Sequence, residues 1–286
     1  MLLAVAALWI SSGTISEAHQ RGAELFKQKR YREAIAALEE AAKFEDTETT
    51  EYTESALLIG KSYFALSQAP KSIPWLEKLP TSTEANYMLG YAYLQTKQQN
   101  LSVAAFARLF GLKQESAKAH LLAGQMMLKK EYTDEAESEV IKALELDGKL
   151  PEAHFILGEI AIFRGRVDEG LEEMKKELDL NPNFFMAWYR LGDAYARKEI
   201  WSLAIPNLQR AVWLNQEFSG PYILLGKCYF KTRNYADAEG ILKRALQLDP
   251  NNQGARYLLG QTLMAEGKKE EGRAMLEKLK AAQQQQ

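Results

Sequence analysis

Glycine recurs at a step of 34 residues: Gly90, Gly124, Gly158, Gly192, Gly226 and Gly260. The chain holds 18 glycines in 286 residues. Five further hits at one chosen step then have a chance probability on the order of 10⁻⁶, so the step belongs to the chain's design. Gly22 and Gly60 extend the series, because the steps of 38 and 30 that connect them to Gly90 sum to two periods. Other positions keep the same beat. Twelve residues after each glycine stands a small residue: Ala34, Ser72, Ser102, Ala136, Gly170, Ala204, Ala238 and Gly272. Sixteen residues after it stands an apolar one: Leu38, Leu76, Phe106, Val140, Met174, Leu208, Leu242 and Leu276.

A repeat of this length with apolar residues three and four apart is a helical hairpin with one buried face. The small residues at two fixed points let its two helices approach closely. Asn181-Pro182 and Asp249-Pro250 break the chain between units. Gly165 and Gly267 fall at equivalent places between the two helices, where a tight turn is required. Pro74 and Pro206 are expected in the first turn of a second helix, where a proline removes no needed hydrogen bond.

The series Trp188, Leu191-Gly192, Tyr195, Ala204, Leu208, Ala211, repeated as Tyr222, Leu225-Gly226, Tyr229, Ala238, Leu242, Ala245, Pro250, resembles the tetratricopeptide repeat family. The resemblance implies an all-α fold, a right-handed α-solenoid of about eight helix-turn-helix repeats. The expected units are 15–52, 53–82, 83–116, 117–150, 151–184, 185–218, 219–252 and 253–281, together a solenoid over 15–281. Each unit buries its apolar face only against its neighbours. Repeat 2 departs where Leu79-Pro80 shortens its second helix, and repeat 5 where Glu177 replaces a small or apolar residue. Residues 45–54 (EDTETTEYTE) read as an exposed loop carrying the extra residues, and 282–286 as a disordered Gln tail.

Residues 1–14 stand apart. Leu2 to Ile10 are apolar without a break, and Ser16 and Ala18 would be the small residues of a cleavage site after Ala18. One reading is a signal peptide, with export to the periplasm or cell envelope. The other is a hydrophobic helix covering the first repeat of a cytoplasmic protein. The single cysteine suits either compartment.

Composition narrows the chemistry. Thirty-six basic residues against 38 acidic ones give a net charge of −2, interspersed rather than banked on one face, so nucleic acid is not expected as a partner. One Cys and three His are too few for an ordinary zinc site, and no metal or cofactor is expected. No run of 18 apolar residues offers a membrane span. SALLIGKS at 55–62 ends like a phosphate-binding loop, but Ser55 replaces its first glycine and the segment sits inside a helix. Asn100-Leu101-Ser102 is a glycosylation sequon by pattern only. His120 and His154, one period apart, read as packing between helices, Cys228 as a buried inert thiol, and pairs such as Glu172-Glu173 as solvated helix faces. No nucleophile, base and orienting group recur together, so an enzyme is not expected.

What remains is a surface. The resemblance implies a concave groove lined by first helices, at positions three before and one, four and five after each glycine. Those positions lack the Lys and Asn combination with which some co-chaperone members of the family grip a terminal carboxylate. They are apolar and aromatic with scattered charges, which suits an extended or helical peptide. The candidate groove residues are Lys61, Tyr87, Tyr91, Phe155, Tyr189, Lys227 and Tyr257, with Trp213 on a second helix as an outward-facing alternative. The expected role is a non-enzymatic scaffold that binds a peptide or protein segment, or an exported envelope-assembly or secretion accessory factor. A homo-oligomer is also open, since solenoids self-associate.

Overall fold

The computed structural model describes residues 17–283, which form sixteen helices and no strand. The expected signal segment 1–14 and residues 284–286 of the tail lie outside the described residues. The chain divides after Leu150 into two compact units, each a short row of four helical hairpins.

In the first unit the hairpins are α1 (17–27) with α2 (Tyr31–Ala42), α3 (Thr50–Ala65) with α4 (Ala69–Leu76), α5 (Thr83–Gln95) with α6 (Gln99–Leu109), and α7 (Ala117–Leu128) with α8 (Thr133–Leu146). The second unit pairs α9 (Ala153–Phe163) with α10 (Val167–Leu180), α11 (Phe185–Arg197) with α12 (Trp201–Leu214), α13 (Ser219–Lys231) with α14 (Tyr235–Leu248), and α15 (Gln253–Ala265) with α16 (Lys269–Gln283).

The periodic glycines are contact points between the helices of a hairpin. A Cβ added at any of the eight would stand 2.2 to 2.9 Å from the side chain sixteen residues later, as Gly192 against Leu208 and Gly90 against Phe106. The small residue at plus twelve closes the same contact from the other side. Ser72 Oγ donates to the Gly60 carbonyl at 2.8 Å, and a Cβ on Gly170 would press on the Gly158 carbonyl at 2.8 Å. The two helices thus meet backbone to side chain, and the apolar residues at plus sixteen fill the seam.

The turn is also periodic. Seven residues after each glycine the backbone is left-handed, at Lys29, Ser67, Lys97, Glu131, Gly165, Glu199, Arg233 and Gly267. The next N–H then bonds the carbonyl three residues after the glycine, as Ile200 to Tyr195 at 2.9 Å and Lys268 to Leu263 at 2.8 Å. This motif satisfies carbonyls that the helix end leaves bare. Only two of its eight positions are glycine.

Several first helices begin on a side-chain cap: Thr49, Ser82, Ser116 and Asn252 each accept from an N–H three residues on. The α9 start lacks one of its own, and Glu152 there is left-handed. Glu177 of α10 supplies it. Its buried carboxylate accepts from the Glu152 N–H at 2.9 Å and the Phe155 N–H at 3.4 Å. The odd residue of repeat 5 is therefore a cap delivered by a neighbouring helix.

Four expectations need correction. Residues 45–54 are not all exposed loop: α3 starts at Thr50, three residues before the expected unit, Tyr52 is buried, and the Glu45 side chain is tucked against His19 and Ser55. The Thr49 cap and the Lys78 ammonium, which donates to the Tyr52 hydroxyl at 2.7 Å, hold these residues in the helix. Pro74 and Pro206 lie inside α4 and α12 rather than in their first turns. Both face solvent, as do Pro70 and Ser202 four residues earlier, so the carbonyls they leave unpaired can be hydrated. Residues 282 and 283 belong to α16 instead of a frayed tail.

Candidate functional site

The first-helix row behaves differently in each unit. In the first, Tyr91 is 3% exposed, and its hydroxyl donates to the Met126 carbonyl at 2.8 Å. Burial raises its phenol pKa. Tyr91 is a packing residue, which corrects its place among the groove candidates: the phenol is consumed by the next repeat. Its ring meets Phe106 and Tyr87 edge to face at 5.2 and 5.1 Å. Tyr87 is 40% exposed and can reach a ligand. Lys61 is already engaged, 2.6 Å from Glu84 and over the Phe26 ring at 5.3 Å. Ser55 to Ser62 lies within α3, with Ser55 and Ser62 buried.

His19 is buried as well. Its Nδ1 is 2.8 Å from Ser55 Oγ and 3.3 Å from Glu45 Oε1. Glu54 Oε2 lies 3.4 Å from the other ring nitrogen. Ser55 is fully buried and its Oγ donates to Glu45 at 3.2 Å, so the group reads as a clasp on the 43–49 loop.

In the second unit the row is open. Phe155 packs edge to face on Phe184 at 4.9 Å, and Tyr189 on Phe218 at 5.5 Å. Both are half-buried, so each offers an edge to solvent. Tyr257 is 49% exposed and its hydroxyl accepts from Gln261 Nε2 at 2.6 Å. Lys227 is exposed and makes no ion pair among the described residues. Between α9 and α11 lies a pocket of ≈ 620 Å³, lined chiefly by Glu159, Ile162, Phe163, Arg190, Asp193 and Arg197. Phe163, 80% exposed, forms its apolar lip.

Opposed charges structure this pocket. Glu159 pairs with Arg190 at 2.8 Å and Asp193 with Arg197 at 3.0 Å. Burial pushes the Glu159 carboxyl above the usual carboxylate range, with Arg190 pulling the other way. Arg190 also lies against the Tyr189 ring at 5.6 Å, and its buried Nε has no hydrogen-bond partner among the described residues. Phe163 and Arg197 stand five residues after their glycines, a position that the family resemblance implies to be groove-facing without singling out these two. Nothing in the sequence signals Arg190.

The two periodic histidines each face a carboxylate. His120 Nδ1 is 2.5 Å from Glu139 Oε2, and His154 Nδ1 is 2.7 Å from Glu173 Oε2. The carboxylates are themselves one period apart, so the whole pair repeats. Glu173 is therefore not the solvated residue that its run suggested. Burial works against its charge, but Lys176 and His154 outweigh it and lower its pKa. Among the described residues no group of three or more His, Cys, Asp or Glu is placed to hold a metal ion, and no helix is long and apolar enough to cross a membrane. Burial pushes the Cys228 thiol up to about 11, which leaves little thiolate at neutral pH. Trp213 is 63% exposed on α12, with the Arg210 guanidinium 4.3 Å from its ring.

Family models described as tetratricopeptide repeat match residues 83–116, 155–220 and 231–286, together more than half of the chain. The chain is a tetratricopeptide repeat protein. Its fold is shared with solved members. YrrB, described as a TPR protein with an unusual peptide-binding site, superposes with a TM-score of 0.54 at 24% identity, over 62% of this chain and 91% of its own. MamA from Desulfovibrio magneticus RS-1, residues 41 to the end, gives 0.55 at 23% identity over 59% and 96%. The Cut9–Hcn1 complex gives 0.51 at 15% identity, over 85% of this chain and 48% of the other. No curated protein matches the sequence. As a tetratricopeptide repeat protein of this α-solenoid fold, the chain is a protein-interaction scaffold.

Proposed function

We propose that this tetratricopeptide repeat protein is a non-enzymatic scaffold that holds a peptide or protein segment on the first-helix face of its second unit. The observation that carries the reading is the open α9–α11 pocket with Phe163 on its lip and Tyr189 and Tyr257 along the same row. Exposed aromatic rings on rigid helices offer large contact area at little entropic cost. The equivalent row of the first unit spends its central tyrosine on internal packing, so Lys61 and Tyr87 are secondary contacts.

Photo-crosslinking tests this. A benzophenone side chain placed at position 163 is expected to give protein adducts of discrete mass, and one at position 213 none. Adducts at 213 alone would move the binding surface to the second helices.

Export is a second proposal. It rests on the apolar run Leu2 to Ile10 with Ser16 and Ala18 behind it. Mass spectrometry of the native N-terminus is expected to find it at His19; a chain that keeps Met1 removes the argument.

A further inference from the structure

The charges on the second unit's first helices are balanced on α9 and α11 and left unbalanced on α13. Glu159 is answered by Arg190 and Asp193 by Arg197. Lys227 and Lys231 then follow at one and five residues after Gly226, which puts them one turn apart on a single helix face. Both are exposed, and neither makes an ion pair among the described residues. On α15 the equivalent positions are Gln261 and Ala265, which bring no carboxylate. Two ammonium groups at this spacing repel each other and slightly weaken the helix. A chain with a net charge of −2 thus keeps two lysines without an ion pair among the described residues on α13, the first helix that follows the pocket's α11 in the row. The buried Cys228 thiol lies in the field of both Lys227 and Asp193, so the lysine and the pocket's carboxylate share one neighbourhood across α11 and α13. Exposed apolar side chains stand on α15, at Tyr257 and Met264, and beyond the Asp193–Arg197 pair of α11 at Phe163 of α9.

We infer that the occupant of this face is an acidic peptide segment of a partner protein, which sets carboxylates against Lys227 and Lys231 and apolar side chains against Phe163 and the α15 residues. The inference rests on the groove reading above and adds the charge of the ligand. The charge complementarity is specific: α9 and α11 neutralise their own cations, and α13 leaves its two for a guest. Exposed charges of this kind act through steering and register, and their attraction is screened over a Debye length of about 10 Å at 0.1 M salt.

The test uses the full chain and a phage-displayed library of short random peptides as probe, with enriched sequences synthesised as fluorescein conjugates. The expected outcome is a net acidic set of peptides carrying apolar residues. Their affinity falls at least tenfold in K227E/K231E, while helix content is kept and the thermal midpoint falls only slightly, because Lys231 stands in the last turn of α13, where a carboxylate opposes the helix dipole. Selection on K227E/K231E is expected to enrich basic peptides instead. Enriched peptides without a charge bias, or with affinity indifferent to the double reversal, overturn the inference and leave peptide binding on the face intact. A library that yields no binder overturns the groove reading and this inference together. A fluorescein-labelled single-stranded oligonucleotide held through the same two lysines as tightly as the acidic peptides overturns the peptide as occupant.

Discussion

At the scale of single residues, the informative positions are those that break the repeat. Glu177 is buried and carboxylic where the pattern calls for a small or apolar side chain, and it accepts two N–H groups at the start of α9. Glu177→Ala, although closer to the family pattern, is expected to destabilise the protein by about 2 kcal/mol in urea unfolding, since buried donors are left unpaired. Glu177→Gln keeps one acceptor oxygen and should cost less. Glu239 is a second buried carboxylate, 2.5 Å from both Lys243 and Lys268. Those two lysines pull its pKa from 4.5 down to about 2. A carboxyl ionised more readily in the folded than in the unfolded chain stabilises the protein above its unfolded pKa. The contribution fades as pH falls through the window from 4.5 towards 2. Glu239→Gln is therefore expected to flatten the pH dependence of the urea midpoint in that window and lower the midpoint at neutral pH. Neither role was readable from the sequence. Glu177 sits in a helix rich in Glu and Lys, and the groups that make its burial tolerable, Glu152 N–H and Phe155 N–H, lie more than twenty residues away; Glu239 shows its Lys243 neighbour four residues on, but not Lys268.

At the scale of the element, the turn inside each hairpin decides how tightly its helices close. Every repeat places a left-handed residue seven after its glycine, and six of these eight are Lys, Ser, Glu or Arg. An L side chain there costs roughly 1 kcal/mol relative to glycine. Glu199→Gly is expected to stabilise the protein by up to about 1 kcal/mol, and Gly165→Ala to destabilise it by a similar amount, both by thermal or urea unfolding. Gly165 and Gly267 were legible as turn residues because glycine announces that backbone. Lys29, Ser67, Lys97, Glu131, Glu199 and Arg233 announce nothing, since the motif's hydrogen bonds hold them there regardless of side chain. Pro74 and Pro206 were legible as helix residues, but their depth in α4 and α12 follows from which helix face meets water.

At the scale of the whole molecule, each unit is a row in which a hairpin is stabilised by its neighbours. A methyl group at Gly226 would stand 2.6 Å from Leu242 in the seam of α13 and α14. Gly226→Ala is expected to cost about 2 kcal/mol through overpacking. Native-state hydrogen exchange should show the largest loss of protection in α13 and α14 and a smaller one in α9 and α10, because coupling in such rows passes from neighbour to neighbour. The periodicity alone established the hairpins, their seam and their number, since a 34-residue beat of glycine, small residue and apolar residue permits only one way to bring two helices into contact. Which candidates reach solvent was decided by packing. Tyr91 and Lys227 occupy the same place in the repeat, yet one is sealed under Met126 and the other stands in solvent. Position in a repeat states where a side chain starts; whether it reaches water depends on the bulk and polarity of what the adjacent hairpin puts in front of it.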